Sequence, residues 1–66
     1  MIYVGLTDDL ERRYQEHGSP ADWKATGPFN SEAVARQWES QQLAKPGTAG
    51  GSGGTGWRYG YWFTVK

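Results

Sequence analysis

Apolar and β-branched residues dominate the start of the chain and predict a strand over residues 2–6. Gly5 lies in this strand, where a glycine permits either a close approach of another segment or an unusual backbone angle. Asp8 follows as a helix N-cap and Glu11 as an acidic residue of the first turn, so we expect a helix over residues 9–17. The chain therefore begins as strand, turn and helix.

Helical spacing in this first helix brings two chemically active groups together. Leu10, Tyr14 and His17 recur at intervals that place them on one stripe. Arg13 lies beside that stripe, whereas Arg12 points elsewhere, so we expect Arg13 and His17 to be neighbours. A guanidinium and an imidazole beside the end of a strand indicate a candidate site.

The middle of the chain predicts a second strand and a second helix. Residues 22–26 form the short strand, and Gly27-Pro28 is a turn signal that follows it. Asn30 or Ser31 caps the helix, which should cover residues 31–45. The predicted order up to this point is β-α-β-α.

Two stripes of the second helix have different expected roles. Val34 and Trp38 are expected to face the core, and Ala35 and Glu39 lie on the adjoining stripe. From that stripe a carboxylate can reach towards a cleft beside the sheet. All four tryptophans of the chain are expected in the core: Trp23, Trp38, Trp57 and Trp62.

A glycine-rich segment separates the second helix from the last predicted strand. Residues 47–56 contain six glycines, so we expect a flexible linker there. A phosphate-cradling loop is disfavoured, because the segment lacks the Lys-Ser/Thr ending of a P-loop and precedes a strand rather than a helix. The aromatic run over residues 59–65 predicts that final strand.

The opening strand, turn and helix resemble the signature of the GIY-YIG nucleases. Tyr3-Val4-Gly5 is similar to the second signature tripeptide of that family. Arg13 falls where the family has its catalytic arginine, and His17 matches a frequent histidine one turn later. Downstream, Ala35 followed four residues later by Glu39 is similar to the helix that carries the family's metal-binding carboxylate.

The first signature strand of that family would precede Tyr3, where this sequence has only two residues. We expect residues 59–65 to replace it by pairing with residues 2–6, so that the chain resembles a circular permutant cut in the family's first hairpin. Trp62 then falls where the family's other tyrosine belongs, and an indole has no ionisable hydroxyl. The water-activating role of that tyrosine is then either vacant or taken by one of three residues: Tyr61, Tyr59 or His17.

The resemblance implies a small α+β domain over residues 1–66, with a three-stranded antiparallel sheet flanked by two helices in the order β-α-β-α-β. It also implies a metal-dependent endonuclease that hydrolyses phosphodiester bonds in DNA. Glu39 would hold Mg²⁺ or Mn²⁺, and Arg13 would bind the phosphate. Tyr3 would orient the water or the phosphate, and His17 would act as general base or proton relay.

Composition limits this interpretation in three ways. Seven basic and seven acidic side chains give no net charge, whereas domains that bind a nucleic-acid backbone usually carry a basic surplus. The chain has no cysteine, which permits a reducing compartment and removes any cysteine-based zinc site. No apolar stretch is long enough for a membrane span and no signal leader is evident, so a cytoplasmic location is the default expectation.

Non-catalytic interpretations of the same residues stay open at this point. Arg13 would also pair with Asp9 or Glu16 on a solvated helix face. His17 would also complement the negative end of its helix dipole, and Glu39 would also serve as an ordinary exposed helix residue. The alternative functions are an inactive GIY-YIG-like module that binds nucleic acid or protein, and a purely structural domain.

Overall fold

The computed structural model describes residues 1–50 and 56–65, which form a small α+β fold with two helices. Its elements follow in the order β1 (Ile2–Thr7), α1 (Leu10–Glu16), β2 (Lys24–Thr26), α2 (Glu32–Leu43), β3 (Thr48–Gly50) and β4 (Tyr59–Thr64). The predicted helices and strands are all present, with ends that differ from the prediction by at most two residues. β3 is the element that the sequence pattern does not predict.

The sheet has four strands in the order β2-β4-β1-β3. β1 and β4 pair antiparallel along their whole length, from Ile2 opposite Thr64 to Thr7 opposite Tyr59. The predicted pairing of the two ends of the chain is therefore confirmed. β2 pairs antiparallel with β4, whereas β3 pairs parallel with β1, so the prediction of a three-stranded, purely antiparallel sheet is wrong.

The added strand occupies the first part of the segment that composition predicts to be a linker. The chain turns at Gly47, which has a positive φ of 76°, and the Gly47 carbonyl accepts a hydrogen bond of 2.8 Å from the Ile2 amide. Thr48–Gly50 then pairs with the free edge of β1. An exposed strand edge offers unpaired backbone groups to almost any sequence, and composition does not record this. The rest of the predicted linker, residues 51–55, lies outside the described residues.

The sheet has an aromatic face and a helix-packed face, because directly paired residues of antiparallel strands point to the same side. Tyr3 pairs with Phe63 and Gly5 with Tyr61, so these residues define the aromatic face. Val4 pairs with Trp62 on the opposite face, where α2 packs. The buried core includes side chains from both faces of the sheet: Val4, Leu6, Ala35, Tyr61 and Phe63.

α2 packs on the sheet through a smaller residue than predicted. Ala35 is fully buried, whereas Val34, which was expected in the core, is 49% exposed. Trp38 meets its expectation in part, since its half-buried ring lies over Gly60 at a centroid distance of 6.0 Å from Trp62. A helix that approaches a sheet closely needs a small side chain at the contact, and Ala35 satisfies this need.

None of the four tryptophans is fully buried, so their assignment to the core is wrong in degree. All four are half-buried, and three of them pack against other aromatic rings: Trp23, Trp38 and Trp62. Trp57 instead lies under the Arg58 guanidinium at 5.5 Å from its ring centroid. In a chain of 66 residues there is too little interior to enclose four indoles.

The start of α1 differs from the prediction by one residue. Asp9, not Asp8, is the N-cap, and its carboxylate accepts a hydrogen bond of 3.0 Å from the Arg12 amide. The Asp8 carboxylate accepts instead from the amides of Trp57 and Arg58, each at 3.1 Å. Asp8 therefore ties the approach of β4 to the end of β1. Within residues 1–50 and 56–65, no helix is long and apolar enough to cross a membrane.

Candidate active site

The β1/β4 pair and the end of α1 bring three of the predicted site residues into contact. The His17 side chain turns onto the aromatic face, where its Nε2 lies 3.2 Å from the Tyr61 hydroxyl oxygen. The Tyr3 ring lies 5.0 Å from the His17 ring and 6.3 Å from the Tyr61 ring, measured between centroids. Tyr3, His17 and Tyr61 form what we call the Tyr-His-Tyr cluster.

Gly5 of the signature tripeptide is explained by the position of Tyr61. The Tyr61 ring lies directly over Gly5, and a Cβ at this position would collide with the end of that ring. The φ angle of Gly5 is not positive, so of the two roles that glycine permits, this is the close approach. Any side chain at residue 5 would displace the hydroxyl that meets His17.

Tyr61 keeps its proton at neutral pH. Burial raises its pKa from 10.0 to about 12, and the neighbouring Tyr3 adds to this shift. The Arg13 charge acts in the opposite direction, and the charges of Glu16 and Glu39 raise the pKa slightly further. The Tyr61 hydroxyl is therefore suited to donating a hydrogen bond and is a poor general base near pH 7.

His17 is neutral under the same conditions. Partial burial lowers its pKa below 6.5, the Arg13 charge lowers it further, and Glu16 opposes both effects. A neutral imidazole has one donor and one acceptor nitrogen, so Nε2 either donates to the Tyr61 hydroxyl or accepts from it, depending on the tautomer. The His17 side chain does more than complement the negative end of the helix dipole, because it contacts Tyr61 on the sheet.

Arg13 lies beside the cluster but is paired with a carboxylate of its own helix. Its Nη1 is 3.0 Å from the Glu16 Oε1, and its side chain is 33% exposed. Arg12 also approaches Glu16, at 3.4 Å. An exposed pair of this kind contributes little to stability, so a phosphate can displace Glu16 from Arg13 at small cost.

Glu39 extends from α2 and does not contact the Tyr-His-Tyr cluster among the described residues. Its side chain is only 16% exposed, and its Oε1 lies 3.6 Å from the Arg36 Nη1. Its charge nevertheless contributes to the pKa of Tyr61. Glu39 is thus a mostly buried carboxylate on α2, which packs on the opposite face of the sheet from the cluster, and is not an ordinary exposed helix residue.

The resemblance implies a divalent metal ion, and the carboxylates permit only one kind of site for it. In the part of the chain that the structure describes, no group of three or more histidine, cysteine, aspartate or glutamate side chains is placed to hold an ion. Glu39 supplies one carboxylate. This donor set fits an Mg²⁺ ion that takes its remaining ligands from water and a substrate phosphate, as Mg²⁺ commonly does.

The structure distinguishes among the residues that were candidates to replace the family's first tyrosine. Trp62 points to the helix-packed face and is separated from the cluster by the sheet. Tyr61 points to the aromatic face and meets His17. Tyr59 shares the face of Tyr61, and no hydrogen bond links it to His17 among the described residues.

Two aromatic residues that sequence reasoning assigned only to strands or core complete this face. The Trp23 ring stacks on Tyr61 at a centroid distance of 4.6 Å, and Phe63 lies 4.9 Å from the His17 ring. The alternation of Tyr61 and Phe63 along β4 was the available signal, because period-two spacing places both on one side. The contact of Trp23 with Tyr61 depends on the pairing of β2 with β4 and had no local signal.

A cleft of about 610 Å³ opens beside His17. It lies between the end of β4 and the loop that follows α1, and it is lined by His17, Pro20, Ala21, Asp22, Phe63, Thr64 and Val65. Its size is in the range of small-molecule sites. The Tyr-His-Tyr cluster therefore adjoins a space that a substrate can enter.

Comparisons of this chain with protein-family models, with curated protein sequences and with solved structures return no match. A proposal for its function accordingly rests on the residues and geometry described above.

Proposed function

We propose that this protein is a metal-dependent phosphodiesterase that cleaves DNA, with an active site similar to that of the GIY-YIG nucleases. The observation that carries the proposal is the contact of His17 with Tyr61 at 3.2 Å, beside Tyr3 and Arg13. These residues come from both ends of the chain, and β1/β4 pairing brings them together. A purely structural role would not require a neutral imidazole and a buried hydroxyl next to an open cleft.

Each residue of the site has a role that follows from its chemistry. Arg13 binds the scissile phosphate through its planar guanidinium after exchanging Glu16 for the phosphate. In the tautomer whose Nε2–H donates to the Tyr61 hydroxyl oxygen, Nδ1 of the neutral His17 accepts a proton from the attacking water. Tyr61 holds the imidazole through their shared hydrogen bond, and the Tyr3 hydroxyl orients the water or the phosphate.

Glu39 would hold a divalent ion together with the substrate phosphate. When bound, such an ion stabilises negative charge on the phosphate and on the leaving oxygen. The Glu39 carboxylate would have to leave Arg36, whose guanidinium retains Glu32 as a second partner at 3.3 Å. Arg36 therefore keeps a counter-charge in both arrangements.

The arrangement of the termini supports the circularly permuted reading of the chain. The Val65 amide donates a hydrogen bond of 2.7 Å to the Met1 carbonyl, and the Met1 amino group lies 3.4 Å from the Val65 carbonyl. A short turn across this junction would join β4 directly to β1 as one hairpin. The order of elements would then begin β-β-α, as the resemblance implies.

The second candidate function is an inactive module that binds nucleic acid. The ion pairs within the site favour it, since Arg13 is already paired with Glu16 and Glu39 with Arg36. The zero net charge of the chain also favours weak binding over efficient capture of DNA. This candidate keeps the fold and the cleft but assigns no proton transfer to His17.

The two candidates are separated by incubating the protein with labelled single-stranded, duplex and branched DNA, in the presence of Mg²⁺, of Mn²⁺ or of a chelator. Glu39→Gln and Arg13→Gln test the proposed metal and phosphate ligands. Glu32→Gln is the matched control for Glu39, because Glu32 also pairs with Arg36 from the same helix but is more exposed. Circular dichroism of each variant checks that the fold is retained.

We expect metal-dependent cleavage that falls by about 10²-fold or more in both site variants and stays unchanged in Glu32→Gln. Cleavage that survives Glu39→Gln at full rate would contradict the metal role of Glu39. Salt-dependent DNA binding without cleavage of any substrate would favour the inactive module.

A further inference from the structure

The cleft beside His17 has one charged side chain at its rim that the proposed chemistry does not use. Asp22 lies in the loop before β2, and its Oδ2 accepts a hydrogen bond of 3.0 Å from the Thr64 amide. A hydrogen bond from the Thr64 side chain is the main cause that lowers the pKa of Asp22, and the Thr64 amide lowers it further, so the carboxylate is charged at neutral pH. Asp22 is exposed, and each carboxylate oxygen has two lone pairs, so the group can accept further hydrogen bonds from a ligand.

The other residues that line the cleft are mainly apolar. They include the Phe63 ring, which lies 4.9 Å from the His17 ring between centroids, and Pro20 and Ala21. A planar, mostly apolar ligand with hydrogen-bond donors on one edge would match such a space. A phosphate would not, because the Asp22 charge repels it.

We propose that this cleft binds an unpaired guanine base of the nucleic-acid substrate, with the Asp22 carboxylate accepting hydrogen bonds from the Watson–Crick edge of the base. Guanine presents an N1–H and an N2 amino group side by side, and a carboxylate accepts such a pair through its two oxygens. Oδ2 retains a second lone pair after binding Thr64. Adenine offers an amino group but no adjacent N–H donor, so it would bind more weakly.

The position of the cleft relates this base to the reacting phosphate. His17 belongs both to the cleft and to the Tyr-His-Tyr cluster, so a base in the cleft would lie next to the nucleotide whose phosphate meets Arg13. Recognition of splayed bases on their Watson–Crick edges is common for single-stranded nucleic acids. The inference rests on the proposed function only in assigning the cleft and the cluster to one substrate.

The test uses uncharged nucleosides, so that phosphate binding at Arg13 does not contribute. Guanosine, inosine, adenosine and cytidine are titrated into the isotope-labelled protein, and the amide resonances of Asp22 and Thr64 are followed by NMR. Inosine differs from guanosine only by the missing N2 amino group. We expect guanosine to bind at least about fivefold more tightly than inosine.

Asp22→Asn provides the matched variant. The asparagine oxygen can still accept from the Thr64 amide, so the loop stays anchored while the amide NH₂ replaces the free carboxylate oxygen in the cleft. Guanosine affinity should then fall by about tenfold or more. Asp9→Asn removes the same charge outside the cleft and preserves the N-cap, so it should leave guanosine binding unchanged.

Equal affinities for guanosine and inosine in the unmodified protein would overturn the inference, as would unchanged guanosine binding in Asp22→Asn. These measurements need no cleavage, so they fail or succeed independently of the nuclease proposal. Cleavage of DNA without any guanine dependence would leave the nuclease in place and reject the base site. Guanosine binding without cleavage of any DNA would support the base site and reject the nuclease.

Discussion

A single position along β4 decides which side chain enters the candidate site. Alignment by resemblance places Trp62 at the critical position, but neighbouring residues of a strand point to opposite faces. Trp62 therefore packs with Trp38, and Tyr61 reaches His17. The chemistry of the site therefore depends on this alternation and on the charges of Arg13 and Glu16 on α1.

The charge of Arg13 should be measurable in the titration of His17. We predict that His17, the only histidine of the chain, titrates below pH 6.5, because burial and Arg13 both lower its pKa. Arg13→Gln should move the midpoint upwards, since it removes the repulsion and leaves the Glu16 charge in place. The measurement is a proton NMR titration of the imidazole.

The same shift has a consequence for folding. A lowered pKa in the folded state means that His17 contributes stability above pH 6.5, and that this contribution is lost as the pH falls through the lower folded-state value.

Arg12→Gln is the control for the NMR titration of His17 in Arg13→Gln, because Arg12 also pairs with Glu16 but is not a cause of the His17 shift. A midpoint that is unchanged by Arg13→Gln would contradict the placement of Arg13 next to the imidazole.

Tyr61 should make the fold sensitive to alkaline pH. Its pKa is raised from 10.0 to about 12, so the folded state favours the protonated form. The resulting stability is fully present below pH 10 and is lost as the pH rises from 10 to about 12. The urea midpoint of the unmodified protein should fall across this window more steeply than that of Tyr61→Phe, and parallel curves would refute the prediction.

Elements of this protein are joined through small contacts that the hydrophobic pattern does not reveal. α2 has few large apolar residues, and Val34, the most apolar residue of its first turn, is 49% exposed to solvent. Ala35 makes the close contact with the sheet, and Glu39, one turn later, is mostly buried as a result. The distance between α2 and the sheet thus sets how far the Glu39 carboxylate is from Tyr61.

Enlarging Ala35 should therefore disturb the fold more than its modest size suggests. We predict that Ala35→Leu lowers the free energy of unfolding by about 1 to 3 kcal/mol, because the closely packed site has no space for three more carbons. Ala33→Leu, on the exposed side of the same helix, should change it by less than about 0.5 kcal/mol. Urea denaturation of both variants provides the comparison, and equal midpoints would contradict the assigned packing.

At the scale of the whole molecule, the two ends of the chain form the centre of the sheet. β1 and β4 are adjacent, and Met1 and Val65 are joined by backbone hydrogen bonds. Every residue of the candidate site except Glu39 lies on β1, on β4 or at α1, which follows β1 directly. The site therefore forms only when the first and last segments of the sequence meet.

This arrangement predicts that the chain tolerates a change in the position of its termini. A permutant that links Lys66 to Met1 by about two to five residues and opens between Thr55 and Gly56 should keep its fold, because the paired ends need only a hairpin turn. The element order becomes β4-β1-α1-β2-α2-β3. Loss of the cooperative urea transition in this permutant would contradict the prediction.

A second permutant supplies the control. It carries the same linker between Lys66 and Met1 but opens between Ala35 and Arg36, inside α2. Its unfolding midpoint should fall sharply, because the break removes backbone hydrogen bonds and the buried contact of Ala35. Equal stability of the two permutants would show that the position of the opening has no effect.

Local periodicity, caps and turns in the sequence predict the two helices and the strands β1, β2 and β4. The pairing of the first strand with the last was expected from the resemblance to the GIY-YIG nucleases, and the structure confirms the pairing. Helical spacing in the sequence also placed Arg13 beside His17. Three features do not follow from the local sequence: Thr48–Gly50 forms a strand, Ala35 replaces Val34 in the core, and Tyr61 rather than Trp62 meets His17. These three outcomes depend on which edge is free, how closely the helix approaches and which face each strand residue takes, and all three arise between segments that are distant in the chain.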